Sequence, residues 1–141
     1  KWNNERYILY KQAYDDITIY LESVTFGAVG GSAISARHGG KVFVEGDITI
    51  TGNCATFFSA YRNGAIYNIA NSTTLSGTRE FTTFAKAETN SYIQYGGSIT
   101  GSATGKRYIV TGNSVINALG AGVTYFPGDV EGTTATGGQY L

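Results

Sequence analysis

The chain has 141 residues, enough to bury one hydrophobic core and too few for two independent domains. Ten Lys+Arg balance ten Asp+Glu and only 14% of residues are charged, so no long-range field steers the protein to nucleic acid or an anionic membrane. The one cysteine, Cys54, excludes an internal disulfide framework, and no CxxC or Cys/His cluster suggests a metal, so no cofactor is expected.

Taken in chain order, residues 1–14 fit either a strand through Tyr7, Ile8 and Tyr10 or one helical turn capped by Asn4, and we read a strand. Alternating runs follow at Asp16–Leu21, Lys41–Glu45, Asp47–Thr51 and Ser91–Tyr95, each bounded by Gly, Asn or Ser. No run of about 18 apolar residues spans a bilayer as a helix, and membrane insertion is not expected. Methionine is absent, so residue 1 reads as a processing point or the cut end of a longer polypeptide. Twenty Gly, 11 Tyr and 7 Phe against one Pro point to an all-β chain.

The segments repeat when laid under one another. Val24–Gly27 matches Thr49–Gly52, Thr74–Gly77 and Ser98–Gly101. A second column runs Ala33–Ala36, Phe57–Ala60, Thr83–Lys86 and Tyr108–Val110, and a third runs Gly40–Phe43, Gly64–Tyr67, Ser91–Gln94 and Ser114–Asn117. Three short strands in about 24 residues predict a parallel β-helix, or β-solenoid, whose coils stack at about 4.8 Å. Phe26, Ile50, Leu75 and Ile99 are expected to form one interior ladder. Residues 1–124 are assigned to the coils, with 1–15 an uncertain N-terminal segment continuing from an upstream region. Residues 125–141 leave the repeat and carry the proline, as a terminal cap, a segment packed on a neighbouring subunit, or a disordered tail.

Gly97–Tyr108, followed by Thr124–Asp129 and Thr134–Tyr140, resembles the C-terminal region of bacteriophage and prophage tail fibre or tailspike proteins, a similarity reaching back to about residue 16. The resemblance implies a short right-handed parallel β-helix at the distal end of a homotrimeric virion tail appendage. It also implies contact with bacterial surface polysaccharide, lipopolysaccharide or capsule, outside the cell, with the remainder of the phage tail as a partner.

Catalytic signals are sparse. His38, the only histidine, sits in the turn Arg37–Gly40, where a solvated side chain is the commoner case than a general base. Glu45 and Asp47 are weak catalytic candidates as a carboxylate pair, although Gly46 between them suggests a corner that splays them; Asp15, Asp16 and Glu22 read as solvated charge. Cys54 lacks a second thiol or a local cation and reads as inert. Gly101–Lys106 resembles a phosphate loop only superficially, because the glycine spacing is short and Arg107 replaces the required Ser/Thr.

The turns carry more. Arg37–His38, Tyr61–Arg62–Asn63, Glu88–Thr89–Asn90 and Thr111–Gly112–Asn113 occupy one turn column, and Tyr67, Asn68, Tyr92, Gln94 and Tyr95 are read as outward nearby. Tyrosine faces stack on sugar rings while Arg, Asn and Gln pair with hydroxyls, so Arg37, Tyr61, Arg62, Asn63, Tyr67, Asn68, Tyr92, Gln94 and Tyr95 form a candidate glycan strip. The same residue types are enriched at subunit interfaces. Three functions therefore compete: a receptor-binding module, a polysaccharide depolymerase fragment acting as hydrolase or lyase, and a structural tip that holds a trimer together. The scarcity of acidic residues favours the first over the second.

Overall fold

The computed structural model describes residues 7–8, 11–13 and 15–141. Among these there is no helix, and all strand pairing is parallel. The first coil comprises β1 (Tyr7–Ile8), β2 (Lys11–Ala13) and β3 (Thr18–Leu21). The second comprises β4 (Val24–Phe26), β5 (Ser32–Arg37) and β6 (Lys41–Val44), and the third β7 (Ile48–Ile50), β8 (Cys54–Tyr61) and β9 (Ala65–Asn68). The fourth is β10 (Thr73–Glu88) with β11 (Tyr92–Tyr95), the fifth β12 (Ile99–Val110) with β13 (Val115–Asn117), and β14 (Thr133–Thr134) and β15 (Gln139–Tyr140) begin a further rung.

The chain is a β-solenoid of about five turns, as the repeat predicts. Its third column runs Ile19, Val42, Ile66, Ile93, Ile116 and Tyr140, with steps of 23, 24, 27, 23 and 24 residues. The first and second columns merge into one nine-stranded sheet because β10 and β12 run unbroken around the corner between them, while the third column is a separate six-stranded sheet. Of the N-terminal stretch, Tyr7–Ile8 and Lys11–Ala13 are strands; Asn4 and Tyr10 lie outside the described residues.

Inward and outward positions alternate with the pleat. In β7, Ile48 and Ile50 are buried and Thr49 is half-buried; in β11, Ile93 and Tyr95 are buried and Tyr92 and Gln94 half-buried. The alternation breaks where the coil bends, so Phe57 and Phe58 are both fully buried and their rings meet edge to face at 4.7 Å. Phe57 also stacks on Phe84 at 5.5 Å and meets Phe26 at 5.5 Å, which gives the middle of the stack an aromatic core.

Two expected ladders are displaced. Phe26, Ile50 and Leu75 do align, but Ile99 pairs with Thr73 and so belongs to the column of Val24 and Ile48. Phe58 faces Ala85 rather than Phe84. The cause lies in the fourth coil: Leu75 faces Ile50 and Phe81 faces Cys54, so six residues there span what four span in the third coil. The surplus sits at the corner where Gly77 takes a left-handed φ of 74° and the register against β12 also shifts.

The last segment rejoins the stack. Thr133–Thr134 continue the second column and Gln139–Tyr140 the third. Between β13 and β14 the chain folds over the end of the coil, and Phe126, 0% exposed, inserts between Phe84 at 5.6 Å and Tyr95 at 5.8 Å. Tyr140 then lies flat on Tyr108 with ring centres 4.0 Å apart. The open end of an apolar tube is thus closed by the chain's own aromatics. Replacing Phe126→Ala removes this plug, and urea unfolding is expected to lose about 3–5 kcal/mol of stability; a loss below about 1 kcal/mol would show that the end is not closed by Phe126.

Candidate functional site

The site is built on the turn that joins the second column to the third. In each coil two successive residues there take left-handed backbone: Asp15–Asp16, His38–Gly39, Arg62–Asn63, Thr89–Asn90, Gly112–Asn113 and Thr136–Gly137. The flanking residues close the turn, with Gly40 N–H donating to the Arg37 carbonyl at 2.9 Å and Gly64 N–H to the Tyr61 carbonyl at 3.2 Å. This is the I′ type of turn, which favours Gly, Asn and Asp at positive φ, and Arg62, Thr89 and Thr136 adopt it against that preference. At Gly39, with φ 82°, a Cβ would also collide with the Asp16 carboxylate of the preceding coil. Successive turns are hydrogen-bonded to one another, for example His38 N–H to the Tyr61 carbonyl at 3.2 Å and Asn63 N–H to the Thr89 carbonyl at 3.1 Å.

This ridge brings the sequence-predicted Arg37, Tyr61, Arg62 and Asn63 together. Arg37 and Tyr61 are paired in register on neighbouring strands, and Glu88 continues the same row. A second row, two residues back, holds Ser35, Ser59 and Lys86. The two rows border a depression of about 250 Å3 lined by Ser32, Arg37, Thr56, Ser59, Tyr61, Lys86 and Glu88. Arg37 Nε donates to Ser35 Oγ at 3.0 Å, and Lys86 Nζ pairs with Glu88 Oε2 at 2.9 Å. The Arg62 guanidinium covers one side of the Tyr61 ring at 5.0 Å and its Nη1 donates to His38 Nε2 at 3.2 Å, which requires that ring nitrogen to be unprotonated. An aromatic ring, two cations, a carboxylate and several hydroxyls therefore converge in one shallow recess, with the Arg62 guanidinium beside it, a composition suited to a sugar.

The remaining predicted residues fall elsewhere. Tyr67, Tyr92 and Gln94 lie on the outer face of the third column, where Tyr20, Phe43 and Tyr67 stack with ring centres 5.4 and 4.8 Å apart and planes within 18°. Tyr92 tilts 47° from Tyr67, and its hydroxyl lies 3.4 Å from Gln94 Oε1 and from Asn117 Nδ2. These rings cover one another's faces, so the ladder presents mainly ring edges and hydroxyls. Asn68 and Tyr95, read as outward, are both fully buried. Strand alternation turns them inward, where the Tyr95 hydroxyl bonds Thr73 Oγ1 and Asn68 Nδ2 donates to the Asn71 carbonyl at 3.0 Å. Burial pushes the Tyr95 phenol well above the usual tyrosine range. Neither is available to a ligand.

The catalytic candidates gain little from the fold. The Asp47 carboxylate accepts the Ser72 N–H at 2.9 Å, and hydrogen bonding from Ser72 lowers its pKa, the reverse of what an acid catalyst requires. Glu45 is exposed on the other side of Gly46. Among the described residues no group of three or more His, Cys, Asp or Glu could hold a metal. A larger groove of about 540 Å3 follows the corner between the first two columns, bordered by Val29, Glu80, Phe81 and Thr104 with Cys54 in its wall, and its only ionisable groups are Glu80 and that thiol.

Lys86, Ser59, Ser32 and Thr56 were not foreseen as site residues, and Glu88 was foreseen only as part of the turn column. Exact strand register would have found Lys86 and Glu88, since they face Ser59 and Tyr61. Comparison with known protein families, curated proteins and solved structures finds no match for this chain.

Cys54 supplies a check on this geometry. Burial pushes its thiol up to about 12 from an ordinary 9.0. The native protein is expected to resist aromatic disulfide reagents at pH 8 and to react once unfolded; prompt native labelling would contradict the burial. Because the folded thiol keeps its proton where the unfolded one loses it, stability falls as pH rises from about 9 to about 12 and is unaffected by this group below 9. Cys54→Ala should remove that part of the alkaline loss.

Proposed function

We propose that this solenoid is a receptor-binding module of a phage tail appendage that attaches to bacterial surface polysaccharide without cleaving it. The observation that carries the reading is the recess in which Arg37, Tyr61 and Glu88 align across three coils beside Lys86. Stacked coils hold these side chains at about 4.8 Å intervals on a rigid sheet, so a sugar meets a preformed surface and little ordering entropy opposes binding. The resemblance of Gly97–Tyr108 and Thr134–Tyr140 to tail fibre and tailspike C-termini supports the viral context. On this reading the protein acts outside the cell as a homotrimer, and the ladder of Tyr20, Phe43, Tyr67 and Tyr92 serves contact between subunits or coil stability rather than sugar stacking.

The lowered pKa of Asp47 and its engagement with Ser72 weigh against a depolymerase built on Glu45 and Asp47. The test uses the purified protein with a panel of lipopolysaccharides and capsular polymers, measuring retention and the appearance of reducing ends or unsaturated uronate. Retention without release is expected. Tyr61→Ala should weaken retention by about tenfold or more, while Tyr67→Ala should leave it unchanged and instead lower the melting temperature or the sedimentation coefficient. Steady product release, or equal retention by Tyr61→Ala, would overturn the reading.

A further inference from the structure

We infer that the recess selects acidic sugars, with Arg37 as the residue that receives the sugar carboxylate. This deepens the glycan-attachment reading and rests on it. Among the described residues the single ion pair is Lys86–Glu88, so Glu88 is already neutralised on its own strand and Arg37 and Arg62 have no carboxylate partner. The recess lining sets two cations, Arg37 and Lys86, against one carboxylate, Glu88, and so carries a surplus of one positive charge, although the chain as a whole is neutral.

Arg37 is also held for the task. Its Nε is fixed on Ser35 Oγ at 3.0 Å, which leaves the two terminal nitrogens for a ligand, and a guanidinium fork matches a planar carboxylate in two parallel hydrogen bonds. Arg37 and Glu88 stand two coils apart, about 10 Å at the solenoid's rise, with Tyr61 and Ser59 between them. That interval accommodates one pyranose ring lying on Tyr61. The ring's carboxylate would meet Arg37 at one end, and its hydroxyls would meet Ser59, Thr56 and the Lys86–Glu88 pair at the other. The guanidinium of Arg62, on the ring of Tyr61, adds positive potential without occupying the recess.

The experiment is a glycan array of matched pairs differing only in the carboxylate: oligogalacturonate against oligogalactose, oligoglucuronate against oligoglucose, and sialylated against asialo glycans. At least one acidic member should be retained about tenfold or more above its neutral partner, with the difference shrinking as salt is raised. Arg37→Gln should bring the acidic member down to the neutral level, and Arg37→Lys should restore part of the gap, since it keeps the charge and loses the fork. Unchanged circular dichroism and melting temperature would show that the variants fold. Equal or better retention of neutral partners, or acidic retention untouched by Arg37→Gln, overturns the inference while leaving glycan attachment standing. Retention of no glycan at all overturns both.

Discussion

Parallel pairing between consecutive coils decides where the strand side chains of this protein lie. Each strand bonds to its counterpart about two dozen residues away, so a residue's neighbours are its equivalents in the coils above and below. One consequence is additive. Apolar residues such as Ile19, Val42, Ile66, Ile93 and Ile116 repeat one favourable contact along the axis, and together they bury a continuous core from segments too short to bury anything alone. The other consequence is strict. A coil that gains or loses residues must do so at a corner, or the pairing on both sides is lost, and the fourth coil places its surplus beside Gly77.

A tube made this way has an interior that needs filling and an end that needs closing. The aromatic cluster does both. Phe57 and Phe58 occupy the bend where two successive residues point inward, and the rings of Phe26 and Phe84 pack against Phe57 there. Phe126 and Tyr140 then extend the same ring-on-ring contacts past the last full coil. The Thr73–Tyr95–Asn68 group shows how polar atoms are admitted to this core: the Tyr95 hydroxyl has Thr73, and the Asn68 amide has the turn at Asn71 on which to satisfy itself.

Much of this was legible in the repeat. The third column aligned residue for residue, because tight left-handed turns of constant length precede it and fix its phase. The second column aligned between Ala33–Ala36 and Phe57–Ala60 but slipped in the fourth coil, since nothing local marks the two extra residues between Leu75 and Phe81. The resulting one-residue slip set Lys86 opposite Ala60, an interior position, and so removed it from the candidate surface; its partner is the outward Ser59. Asn68 and Tyr95 illustrate the opposite error. Simple alternation from Ile66 and Ile93 already turned both inward, but their polar tips suggested surface, and only the partners they find inside explain the burial.

The outer row of the third column and the row of Tyr61 differ in what each ring finds in the neighbouring coils. On the third column's outer face Tyr20, Phe43 and Tyr67 follow one another without interruption, so each ring finds its best partner in the next coil and the faces are taken. Tyr61 has no aromatic above or below it in its row; its neighbours are Arg37 and Glu88. A ring flanked by charges in its row cannot satisfy itself by stacking along the axis; its contacts are the Arg62 guanidinium at 5.0 Å and the His38 ring, edge to face at 6.4 Å. The solenoid thus stabilises itself wherever like meets like from coil to coil, and a recess opens where the row changes chemistry at every step.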